Sequence, residues 1–188
     1  MERRRKRIGQ QRGFTMIEAL ISIMVLSFGV LSLAAVYAQG IYYASLTQYD
    51  YIAEKKAEQA VEAIFTARDN KTLSWAEIQN TPSGGVFVTG AQPMLQPGPD
   101  GLVGTAADAG SPNEFIVIGP NSSGQIGTST DRQVDLNPWM TRTIEIIPVV
   151  DTAGNNEPNL RQITVTVAYH VGSMQRTHTL ISYISSFA

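Results

Sequence analysis

The 188-residue chain contains no cysteine. That absence removes disulfides, thiolate catalysis and cysteine metal sites together, so any folded part must hold by packing alone. Histidine is nearly as scarce: His170 and His178, expected opposite each other on a terminal hairpin, come without a convergent carboxylate and make a poor zinc set. No Gly-x-Ser-x-Gly elbow and no phosphate-cradling glycine loop occurs, so no catalytic residue is nominated and no cofactor, metal or small-molecule substrate is expected.

Positive charge is also lacking over most of the chain. Six of the 14 basic residues, Arg3, Arg4, Arg5, Lys6, Arg7 and Arg12, precede residue 14, where the only acid is Glu2. The formal net charge of −2 therefore becomes −7 over residues 14–188. An acidic remainder has no basic face for a nucleic acid.

From Ala19 to Ala38 the chain has no charge at all. Twenty such residues as an α-helix cover about 30 Å, the thickness of a bilayer hydrocarbon core. The basic cluster before the segment, with no basic residue after it until Lys55 and Lys56, orients it with the N-terminus cytoplasmic by the positive-inside rule. A buried soluble helix is one alternative, but such helices rarely sustain twenty uncharged residues beside a cluster of arginines. A secretory signal cut near Ala34–Ala38 is another, and it leaves unexplained both the helix that continues through Ala67 and Glu18, a carboxylate that would be costly in lipid without a partner.

Gly13-Phe14-Thr15-Met16-Ile17-Glu18 resembles the class III signal of type IV prepilins and pseudopilins, with glycine before the cut and glutamate fifth in the mature chain. The resemblance implies a prepilin peptidase cutting between Gly13 and Phe14 on the cytoplasmic side, commonly with N-methylation of the new Phe14 amine. It also implies that Glu18 takes part in subunit pairing: staggered packing brings one subunit's amine to another's carboxylate, a pair favoured in low dielectric.

Beyond the apolar segment, Ala53, Ala57, Ala60, Ile64 and Ala67 recur at helical spacing, with Val61 and Phe65 widening the stripe. One helix from about Thr15 to Ala67 is expected, its second half lying on the chain's own sheet; a coiled-coil seam is the rival reading. Gly29 and Gly40 are points where such a helix could bend. Ala35 stands where major pilins often carry a proline.

Between Thr81 and Thr130, loops rich in glycine, proline, serine and asparagine enclose two short apolar runs, Val86–Val88 and Phe115–Ile118, read as strands. Arg142–Val150, Gln162–Val171 and Gln175–Ile184 carry the β-branched and aromatic residues of longer strands, the last two turning at Gly172-Ser173. Pro148 confines its strand to an edge, or ends it. The fold class is α+β, a long N-terminal helix packed on an antiparallel sheet of about four strands, which is also what the pilin resemblance implies.

Asp100 and Asp108, in the loop Gly98–Asp108 with Asn113 and Glu114 nearby, are candidate calcium ligands, though they offer few of the six to eight oxygens that ion takes; a turn-rich loop is the plain alternative. Asn70-Lys71-Thr72 and Asn121-Ser122-Ser123 fit the glycosylation acceptor pattern. Trp75 and Trp139 are expected to anchor loops on the core.

The expected organisation is a leader over 1–13, a transmembrane helix over 14–38, an amphipathic spine over 39–67 and an outer β-rich head over 68–188. Leu26–Leu31 and the alanine-rich helix resemble minor pilins of the PilV type most. The resemblance implies a bacterial inner-membrane protein that joins other pilin subunits in a fimbrium serving assembly, adhesion or motility. A type II secretion pseudopilin is the alternative in the same class; a signal-anchored binding or enzyme domain is the alternative in another.

Overall fold

The computed structural model describes residues 14–120 and 132–187. Gly13, the leader and Asn121-Ser122-Ser123 lie outside the described residues. The chain divides into two compact units, Met1–Ser45 and Leu46–Ala188. One helix, α1 (Met16–Asp69), runs through the described residues of the first and is the opening element of the second, and it is unbroken at Gly29 and Gly40.

In the first unit the helix is long and apolar enough to cross a membrane. Its large side chains, from Met16 through Leu33 to Tyr43, are exposed. Ser22, Ser27 and Ser32 each turn a hydroxyl back to the carbonyl four residues earlier, at 2.7 to 2.8 Å. Apolar surroundings offer no other partner, so a serine on such a helix satisfies itself locally.

The second unit is built on a four-stranded antiparallel sheet in the order β1-β4-β5-β6, where β1 is Gln92–Pro93, β4 Met140–Val150, β5 Asn156–Val171 and β6 Met174–Ser185. A separate two-stranded ribbon pairs β2 (Phe115–Gly119) with β3 (Arg132–Asp135). The C-terminal half of α1 packs on the large sheet: Ala53, Ala57, Ala60, Ile64 and Ala67 are buried with Ile144, Ile163, Val165, Val167 and Tyr169 in one core. The stripe is buried among these sheet residues, so it serves the chain's own sheet and not a coiled-coil seam.

β5 and β6 join through Gly172-Ser173, with Val171 opposite Met174. A two-residue hairpin turn demands positive φ, and Gly172 supplies it at 61°. Pro148 does sit at an edge: β1 covers β4 only at Thr141 and Arg142, and the β4–β5 register shifts just beyond the proline.

Two local expectations are corrected. Val86–Val88 forms no strand; Phe87 makes isolated bridges to Asn80 and Thr105 and plugs the core as a fully buried ring. Gly84 and Gly85 set a turn immediately before it, and each bridge is a single pair that does not continue into a ladder. His170 and His178 are not opposite each other: His170 faces Gln175 and His178 faces Val167. The register sum is offset by three residues, which by the pleat places them on opposite faces of the hairpin.

Candidate functional site

The candidate site is the start of α1. Thr15 precedes the first helical residue, and its hydroxyl and carbonyl both accept from the Glu18 N–H, at 3.4 and 3.1 Å; the carbonyl also accepts from Ala19 at 3.2 Å. Thr15 is therefore the N-cap and Glu18 the third helical residue, where a carboxylate faces the unsatisfied N–H groups and positive dipole end of the helix. Thr15-x-x-Glu18 is the sequence form of a capping box, a signal that identifies Thr15 as a positioning residue. Phe14 is 79% exposed, and Glu18 is exposed with no ion pair among the described residues.

This geometry leaves a bare carboxylate one helical turn from Phe14, held by a formed helix and not by a loop. A positive group delivered from outside would find Glu18 without a competing cation on the described chain. Ile17, Leu20 and Ile21 around it are more than half exposed and apolar, surroundings in which an unpaired charge is costly.

In the second unit, the calcium candidates are engaged by protein donors. Asp108 is buried and accepts N–H bonds from Gly98 (2.9 Å), Gly104 (2.6 Å) and Thr105 (3.2 Å). Asp100 accepts from the Leu102 N–H at 3.1 Å and the Thr105 hydroxyl at 2.7 Å. Gly98 is required there, because a Cβ would lie 2.4 Å from the Ala107 carbonyl. A carboxylate ringed by N–H groups is a fold-closing acceptor, not an open cation ligand.

Asn113 and Glu114 turn elsewhere. Asn113 donates to Asp135 at 3.2 Å, whereas Glu114 bonds Lys56 of α1 at 2.8 Å and Arg142 of β4 at 3.4 Å. Among the described residues no group of three or more His, Asp or Glu side chains is placed to hold a metal ion. Burial pulls the Arg142 guanidinium below its ordinary pKa, opposed by Glu114 and Asp108. This network was not anticipated; an arginine in the inward phase of β4, between Met140 and Ile144, is the signal that could have found it.

The two tryptophans do anchor loops. Trp75 donates its indole N–H to the Pro158 carbonyl at 2.9 Å beneath the Arg161 guanidinium, 4.2 Å from the ring. Trp139 donates to the Asp135 carbonyl and meets the Tyr49 ring edge-on at 5.3 Å.

No curated protein and no solved structure matches the chain. A family model described as a prokaryotic N-terminal methylation motif matches residues 8–34, which include Phe14, Thr15 and Glu18. With one long apolar helix leading into an antiparallel sheet, that match supports a type IV pilin-like prepilin, a structural subunit rather than an enzyme.

Proposed function

We propose that the chain is a minor pilin. Its leader, residues 1–13, is removed between Gly13 and Phe14 by a prepilin peptidase, and the new Phe14 amine is methylated. Residues 14–38 then anchor it in the bacterial inner membrane with the N-terminus cytoplasmic, residues 39–67 form the spine, and residues 68–188 form the outer head. It leaves the membrane by joining other pilin subunits in a type IV pilus.

The observation that carries the reading is the methylation motif over residues 8–34, coinciding with a helix that starts at Met16 and carries an exposed Glu18 in its first turn. Cleavage creates a cation beside an apolar helix, and a neighbouring subunit's Glu18 supplies its counter-charge where dielectric is low. A retained helix distinguishes this from ordinary secretion, in which the apolar segment is discarded.

Intact mass of the membrane-extracted protein tests the processing: a chain beginning at Phe14, with or without one methyl, supports it, and one beginning at Met1 defeats it. The pairing is tested separately. Glu18→Ala is expected to leave leader removal unchanged while depleting the subunit from sheared filaments, as read by immunoblot. Normal incorporation of that variant would remove Glu18 from the mechanism.

A further inference from the structure

The two edges of the large sheet differ. On the β4 side, β1 covers Thr141 and Arg142, the Asn80 carboxamide bonds Ile144 and Ile146, Pro148 follows, and the register shifts beyond it. Covers, prolines and bulges are devices that keep an edge from recruiting another strand. On the other side, β6 runs in unbroken register from Met174 to Ser185 without proline, glycine, lysine or an acid. No strand lies beyond it among the described residues.

The hairpin decides which backbone groups point outward. A two-residue turn makes Val171 and Met174 a hydrogen-bonded pair, and bonded and non-bonded pairs then alternate along an antiparallel ladder. Arg176, His178, Leu180 and Ser182 therefore bond β5, whereas Gln175, Thr177, Thr179, Ile181 and Tyr183 turn N–H and carbonyl to the open edge. Ser185 shares that outward phase, and its carbonyl is reached from beyond the strand by Arg68 at 3.0 Å. The five outward-turned residues before it have no backbone partner outside the β5–β6 ladder among the described residues, and all five are exposed.

We propose that β6 is a strand-addition site, at which an extended, acidic segment of a different polypeptide joins the four-stranded sheet as its next strand. Main-chain hydrogen bonds supply the attraction in this mode of recognition, and the neighbouring side chains supply the selection. β6 carries Arg176 and His178, and no acid occurs from Pro158 to Ala188, although residues 14–188 sum to −7. Asp50 approaches Arg176 only at 3.5 Å with both side chains more than 40% exposed, so a further carboxylate can reach the guanidinium.

A second copy of the chain fits the edge poorly in both ways open to it. Two β6 strands joined antiparallel are related by an axis normal to the sheet, which sends the α1 halves packed on it in opposite directions. The two chains would enter the pair from opposite ends, whereas subunits anchored in one membrane enter from the same end; this step rests on the membrane-anchored reading above. Joined instead to the far edge of another copy, β6 would meet the side of β4 that β1 and Asn80 already close.

The test uses the purified full chain in detergent and two probes: a short alternating threonine-valine peptide ended by glutamates, and the same peptide ended by lysines. With the glutamate peptide, amide exchange at Thr177, Thr179 and Ile181 is expected to slow about tenfold, while Arg176, His178 and Leu180, already bonded to β5, stay unchanged. The lysine peptide should have little effect. Thr179→Pro removes an outward N–H without touching the β5 ladder and should abolish the slowing; Ile181→Pro does the same should that variant fail to fold.

No alternating slowing with either peptide overturns the site, and equal slowing with both overturns the acidic partner. Slowing that rises with protein concentration in the absence of peptide places a second copy on the edge and overturns the proposal. None of these readings needs leader removal or a filament. A chain that begins at Met1 yet shows the alternating response to the glutamate peptide therefore overturns the pilin reading and leaves the strand-addition site standing.

Discussion

Arg142 and Glu114 form an ion pair at 3.4 Å in which the arginine side chain is only 2% exposed. Lys56 completes it at 2.8 Å, so one carboxylate ties α1, the segment entering β2, and β4. The Arg142 Nε has no hydrogen-bond partner among the described residues, which makes the guanidinium depend on Glu114 the more. Removing one member of a buried pair leaves the other uncompensated.

Glu114→Ala is accordingly expected to destabilise the full chain in detergent by about 3 kcal/mol, measured by urea unfolding followed at β-sheet ellipticity. Lys56→Ala leaves Glu114 paired with Arg142, so no buried charge is uncompensated and the cost should be smaller. Equal losses would mean that the burial of Arg142 is not what sets the cost.

Asn80 acts as a one-residue strand. Its carboxamide donates to the Ile144 carbonyl at 2.8 Å and accepts from the Ile146 N–H at 2.7 Å, closing the edge of β4 just beyond where β1 stops. Both backbone groups are buried, so Asn80→Ala strands them and is expected to cost about 2–4 kcal/mol. Faster hydrogen exchange at the Ile146 amide checks the mechanism, because loss of packing alone would not single it out.

Calcium should leave the melting temperature unchanged, since the oxygens of Asp100 and Asp108 already accept from protein N–H and O–H groups. Asp108→Asn replaces one acceptor oxygen by a donor facing donors and should lower stability by about 2 kcal/mol. A rise in melting temperature with calcium, lost in Asp108→Asn, would reverse this assignment.

Asp151 governs the turn between β4 and β5. Backbone and side-chain hydrogen bonds from Asn155, then those from Ala153 and Gly154, hold its pKa below the ordinary aspartate value. With the folded value depressed, the contribution is present above the unfolded pKa and fades as pH falls through the folded one. A carboxyl-carbon NMR titration should place its midpoint below those of free aspartates. Asp151→Ala should flatten the acid limb of stability in that window.

Much of the fold was legible along the chain. The charge-free run after the arginines carries a length that matches a bilayer, and the alanine stripe at helical spacing and the alternation of Ile163, Val165 and Val167 each carry a period that only one element type can bury. Pro148 announced its edge because a missing N–H is a local property. Phe14 and Glu18 were legible as a motif, but Thr15 gained its capping role only when the helix start was located at Met16.

What the tertiary structure alone decided are the non-local pairings. Glu114 could have served Asp108's loop, and instead turns to Lys56 and Arg142, 58 positions before it and 28 after. His170 and His178 sit on one hairpin, yet the register separates them. Val86–Val88 has strand composition and no strand to join. Sequence determines which residues must leave water and at what period; which carboxylate meets which cation, and which polar groups close an edge, depends on loop paths that bring distant positions together.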